Sequence, residues 1–240
     1  MKRTILKTFA ATGAAALLLS GCSLLDRGSE TSGDTSGEDG GSDNPVYSDM
    51  TSWDACEVLG DLQPITDEMG IQGWGSLTAS GGTPETREYG NTFDPDAIGC
   101  GNLISLGDSE GYASGGEISV AIIPAESEDQ AATVFSERSS SAESAGSGGK
   151  EFMNSELSDP WDEGVLYSWL GDSDAPHTQL IAREGQWILH IEIEHDKDFG
   201  AQNTGTPSFP FTEESLAQWL TDTYAPEVNQ IVNDRIAEVQ

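Results

Sequence analysis

The sequence predicts an α+β fold in which an antiparallel sheet is packed with helices, and three observations predict it. Glu117–Ile123 alternates polar and apolar side chains and is rich in β-branched residues, the period-2 pattern of a half-buried strand. Three more apolar runs follow at Val165–Leu170, Thr178–Ala182 and Trp187–Glu194, the last two separated by Arg183-Glu184-Gly185-Gln186, which is hairpin spacing. Thr212–Tyr224 places Leu216, Trp219, Leu220 and Tyr224 on one helical stripe. Strand, helix, three strands and helix argue for layers around an antiparallel sheet, and no internal repeat is visible.

Taken from the N-terminus, Lys2-Arg3 and Lys7 precede an apolar run from Phe9 to Leu19, a basic n-region followed by a short h-region. The run is shorter than the ~20 residues that cross a bilayer. Leu19-Ser20-Gly21-Cys22 resembles a bacterial lipobox, whose Cys is acylated and becomes the first mature residue. The expectation is a signal peptide over 1–21 and a lipid anchor on Cys22, each buried methylene contributing ~0.8 kcal/mol. Everything after Cys22 then lies on the outer face of the bacterial cytoplasmic membrane. Residues 22–50 are Ser, Gly, Asp, Glu and Thr with few large apolar side chains, too little to offset ordering entropy. They read as a flexible acidic tether with a reach of roughly 30 Å.

Residues 51–240 read as one globular domain, long enough to bury a core. Ser52–Leu59 opens a short helix capped by Ser52 or Asp54, and Pro64 breaks or restarts it. Gly73–Asn91 is turn-rich. After the strand ended by Pro124, Ser127–Phe135 reads as a helix with Ser127 and Gln130 at capping-box spacing. Ser139–Gly149 is Ser/Gly-rich and reads as a mobile loop. Thr212 caps the penultimate helix, and Pro226–Val239 forms the last, with Pro in its first turn.

Once Cys22 is acylated, Cys56 and Cys100 remain, and an even pair outside the membrane reads as a disulfide. A capped Asp-x-Cys-x-x-Leu helix after an acidic tether, then a second Cys, resembles a family of small actinobacterial lipoproteins of unknown function. Asp54, Cys56, Leu59 and Cys100 carry the resemblance; Asn102 stands where that family has an aromatic, and no Pro precedes Cys56. The resemblance implies a compact α/β sandwich of the PsbP-like kind and no established activity.

Charge and motifs narrow the function. Ten Lys and Arg against 42 Asp and Glu give a net charge of -32, which repels phosphate backbones and excludes a nucleic-acid partner. Loss of Lys2, Arg3 and Lys7 with the signal peptide makes the mature chain more acidic still, consistent with a salt-rich habitat or simply a solvated secreted surface. Gly111-Tyr112-Ala113-Ser114-Gly115 misses the spacing of a nucleophile elbow, and Gly148-Gly149-Lys150 lacks the rest of a phosphate loop. On a strand, His190, Glu192 and Glu194 share one face; with His195 they are the candidate divalent-metal ligands. Asp172-Ser173-Asp174 with His177 is a second, calcium-type candidate. Trp187 and Trp219 read as core, whereas Trp53, Trp74 and Trp161 suit either buried plugs or exposed stacking surfaces. The leading expectation is a non-catalytic binding or sensor module that needs no cofactor and meets a cell-envelope protein or glycan. The alternatives are a metal-dependent surface enzyme using His190, Glu192, Glu194 and His195, and a transport-associated solute binder, which generally needs two lobes.

Overall fold

The computed structural model describes residues 44–90, 94–109 and 111–240. The signal peptide, Cys22 and the tether up to residue 43 lie outside the described residues. The last tether residues do not behave as tether: Pro45–Met50 forms a helix, α1, capped by the Asn44 side chain, and its Met50 is buried. Apolar Val46 and Met50 on a capped turn are enough to recruit this stretch into the domain, so the fold begins before residue 51.

Asp54 is the cap of α2 (Ala55–Val58), its carboxylate accepting from the backbone N–H of Cys56 and Glu57. A 3₁₀ turn follows at Gly60–Leu62, and Pro64 then restarts the chain as α3 (Gln63–Met69). The turn-rich stretch after it contributes two short strands, β1 (Gly73–Trp74) and β2 (Glu85–Glu88). Both pair with one edge of β3 (Ile98–Ser109), a strand the sequence pattern does not announce because Gly99, Gly101 and Gly107 interrupt its alternation. Next come β4 (Tyr112–Pro124), β5 (Lys150–Glu156), β6 (Glu163–Leu170), β7 (Pro176–Glu184) and β8 (Trp187–His195). All ladders between these strands are antiparallel, in the order β1-β3-β4-β8-β7-β6-β5 with β2 beside β1 on the β3 edge.

Helices cover both faces. On one side α1–α3 and the C-terminal helices pack with Trp53, Ile118, Val120, Leu180, Leu189, Ile191 and Leu220 into the larger core. Thr212 caps α6 (Glu213–Trp219) in a reciprocal box with Ser215. The chain stays helical through one π turn, Leu220–Tyr224, into α7 (Ala225–Ala237), where Pro226 has no N–H to donate to the preceding turn. Trp53, Trp74 and Trp161 are 6%, 8% and 7% exposed, so they are plugs and not stacking surfaces. The Cys56–Cys100 disulfide ties α2 to β3 beneath them.

Among the described residues the other face is covered by one helix, α4. This helix runs Glu128–Ser147, so the stretch expected as a mobile loop is helix almost to its end. Ser127 accepts from the Gln130 N–H as expected, but the Gln130 side chain reaches the Glu126 N–H and not the cap itself. Serines and a glycine are poor helix formers. Their context overrides this: Ala131, Val134, Ala142 and Gly146 are small enough to lie flat on the sheet, and at Gly146 the rings of Phe152 and Trp169 occupy the space a Cβ would need. Among the described residues no helix is long and apolar enough to cross a membrane.

A short helix, α5 (Phe199–Thr204), links β8 to α6, and its cap Asp198 organises the whole connection. The Asp198 carboxylate accepts from the N–H groups of Ala201, Ser208 and Phe209 at 3.1, 2.7 and 3.1 Å. Asp198→Ala is expected to cost about 2 kcal/mol, read as a lower urea midpoint, because these donors lose a shared acceptor; an unchanged midpoint would show that the loop holds itself.

Candidate functional site

The face under α4 is covered only in part, and the ladder register shows where the cover stops. Across β4, β8 and β7, the rows Ile123–Ile188–Arg183 and Ala121–His190–Ile181 lie toward the helix. The next two rows, Ser119–Glu192–Gln179 and Glu117–Glu194–His177, are polar throughout. An apolar seat for α4 therefore changes within one row into an open polar surface, and His190 stands at the boundary.

His190 is buried, its side chain 8% exposed. Its Nδ1 lies 2.7 Å from an Arg138 guanidinium nitrogen. Arginine only donates, so Nδ1 must accept and the ring proton sits on Nε2. Burial, helped by the Arg138 charge, pushes the His190 pKa down to about 3, so the ring is neutral. Among the described residues no group accepts from the buried Nε2–H. Glu192 Oε1, at 3.7 Å, is too far for a hydrogen bond and, with the imidazole neutral, makes no ion pair.

Arg138 is held from the other side by Asp94 at 2.6 Å, with side chains 12% and 2% exposed. On the helix, residues 131, 134, 138, 142 and 146 form the inward stripe, so Arg138 takes a place that would otherwise be apolar. Glu192 accepts from Gln179 at 2.9 Å and from Ser119 at 3.3 Å, and burial raises its pKa. Glu137 Oε2, one residue before Arg138, is another buried atom with no hydrogen-bond partner among the described residues. His190, Arg138, Asp94, Glu137, Gln179 and Glu192 border a cavity of about 370 Å³. A second of about 240 Å³, lined by Tyr89, Glu117 and Glu194, shares Gln179 and Glu192 with it. Tyr89 lies on the β3 backbone, where a Cβ at Gly99 or Gly101 would run into its ring or hydroxyl.

Of the expected metal ligands, His190, Glu192 and Glu194 do share a face, but His195 points to the opposite one. There it is packed edge-on between Phe209 and Phe211, its Nδ1 2.8 Å from the Asp196 carbonyl. The reason is the strand alternation itself: position 195 has the parity of Ile191 and Ile193. His190 is also the wrong tautomer, because a metal at Nε2 would force the proton onto Nδ1, against Arg138. Among the described residues no group of three or more His, Cys, Asp and Glu is arranged to hold a metal ion. The turn at Asp172–Asp174 is likewise committed: Asp174 pairs with Lys150 at 2.6 Å and Lys197 at 4.0 Å, and His177 stacks flat on Trp169.

Sequence reasoning missed Arg138, Gln179, Ser119 and Tyr89. One signal was present, since Arg138 is the sole basic residue between Arg87 and Lys150 and falls on a helical stripe once the helix is continued past Phe135. No protein family, curated protein or solved structure matches this chain.

Proposed function

We propose that this chain is a lipid-anchored lipoprotein on the outer face of the bacterial cytoplasmic membrane that binds a ligand of the cell envelope and catalyses no reaction. The observation that carries the binding reading is the buried Nε2–H of His190, a donor with no acceptor among the described residues, at the edge of an open polar groove. A buried polar group left unpaired costs about 1–3 kcal/mol, a cost that a bound partner recovers. The absence of catalysis rests on the histidines' engagements: His190 Nδ1 is taken by Arg138, His195 Nδ1 by the Asp196 carbonyl, and His177 is stacked on Trp169. The anchor rests on Leu19-Ser20-Gly21-Cys22. The resemblance to small actinobacterial lipoproteins, through Asp54, Cys56, Leu59 and Cys100, points the same way.

The anchor is tested with labelled palmitate in cells expressing the full chain. The wild type is expected to take up label and lose residues 1–21, whereas Cys22→Ser takes up none and keeps them; label unchanged by that substitution would remove the lipoprotein reading.

A further inference from the structure

The groove sorts ligands by charge. At its floor His190 offers an N–H, and 3.7 Å away Glu192 offers a carboxylate oxygen. A simple cation is drawn to the carboxylates of the groove, and the Arg138 charge is already paired with Asp94, but a cation has nothing to accept the His190 proton and leaves it unpaired. An anionic ligand would satisfy His190 but enters a groove walled by Glu117, Glu192 and Glu194 on the sheet and by Glu137 on α4. The chain's net charge of -32 opposes it further. The C=O and N–H of one trans peptide link point in opposite directions, so a peptide would need groups from two successive links to meet this pair. A hydroxyl meets both with one atom. Two groups 3.7 Å apart are both within hydrogen-bond reach of one oxygen seated between them, which accepts from His190 and donates to Glu192.

The neighbouring cavity adds the second half of the specification. Tyr89 sets an aromatic ring beside this row of polar groups, backed by the bare backbone of Gly99 and Gly101. A molecule with an apolar C–H face and an edge of hydroxyls matches both walls. Resting on the binding reading above, we infer that the groove binds a neutral sugar residue of a glycan, one hydroxyl lying between His190 and Glu192 and the ring against Tyr89. Gln179 and Ser119 hold the Glu192 carboxylate in position from two sides. Burial raises the Glu192 pKa, and a hydroxyl donating to the carboxylate lowers it again, as the Ser119 hydroxyl already does in part.

The test is saturation-transfer NMR on the full chain purified in detergent, with neutral oligosaccharides of glucose, mannose and arabinose as probes. Spermidine, inorganic phosphate and a mixed hexapeptide pool serve as cationic, anionic and peptide comparisons. At least one neutral oligosaccharide is expected to receive saturation and to shift the ¹⁵N resonance of the His190 Nε2–H. Tyr89→Ala and Glu192→Ala are each expected to weaken that binding about tenfold, the equivalent of one hydrogen bond or stacking contact. Sugar binding that neither substitution weakens would overturn the assignment to this groove. Binding of spermidine, phosphate or peptide alone, with the His190 resonance moved, would end the sugar assignment and leave the binding module standing. A His190 resonance that no probe moves would end both.

Discussion

Replacing both cysteines, as Cys56→Ala with Cys100→Ala, is expected to lower the unfolding free energy by about 4 kcal/mol and the melting temperature by roughly 10 °C. The bond closes a loop of 44 residues' separation that holds α2, α3, β1 and β2. In the chain-entropy account the stabilisation comes from the unfolded state, which the link prevents from exploring open conformations. A further cost acts in the folded state. Cys56 and Cys100 are 6% and 0% exposed within the larger core, so the shorter alanine side chains leave unfilled volume. The buried Ala55 and Val58 and the hydrogen bonds of Asp54 and the Cys56 N–H to Thr86 still hold α2 in place, which keeps the loss near the chain-entropy figure. Against a total of about 5–15 kcal/mol, the bond is a large share. Urea unfolding of the two chains under the same non-reducing conditions measures it. A loss under about 1 kcal/mol would mean that the unfolded chain is already compact around this segment.

Acid is expected to destabilise the fold through His190, and the sign follows from its pKa. In the unfolded chain the ring titrates near 6.5; in the folded protein it does so near 3. Below about pH 6.5 the unfolded state therefore binds a proton that the folded state refuses, and stability falls as pH falls until the folded ring also titrates. At about pH 4.5 this amounts to roughly 2–3 kcal/mol relative to neutrality. His195, lowered by its own burial, acts in the same direction, while Glu192, raised by burial, acts in the opposite one because the folded state takes up its proton early. Relief of repulsion among the many carboxylates also favours the folded state in acid. The His190 contribution is therefore read as a difference. In His190→Gln the amide oxygen can still accept from Arg138, and the drop in urea midpoint between pH 7 and about pH 4.5 is expected to shrink by that amount. Parallel profiles for the two proteins would show that His190 is not the group that senses acid.

The two cases divide what was legible in the sequence from what was not. Fold class, the β7–β8 hairpin, the Thr212 cap, a first helix capped by Ser52 or Asp54 and the Cys56–Cys100 bond could all be read in advance. Alternation, capping residues and turn spacing encode hydrogen bonds made within a few positions, and an even cysteine count leaves one pairing once Cys22 is set aside. The same alternation put His190, Glu192 and Glu194 on one face and should have kept His195 off it.

Tertiary structure decided the rest. Ser139–Ser147 is helix because the β6–β8 surface offers a flat seat for small side chains, a reward that no local propensity contains. β3 is a strand because β1, β2 and β4 hydrogen-bond to both its edges while glycine hides its pattern. His190 is a neutral donor and no metal ligand because Arg138, 52 positions away in the chain, occupies its other nitrogen. Burial and protonation are properties of neighbours brought together from distant segments, and only the folded chain chooses those neighbours.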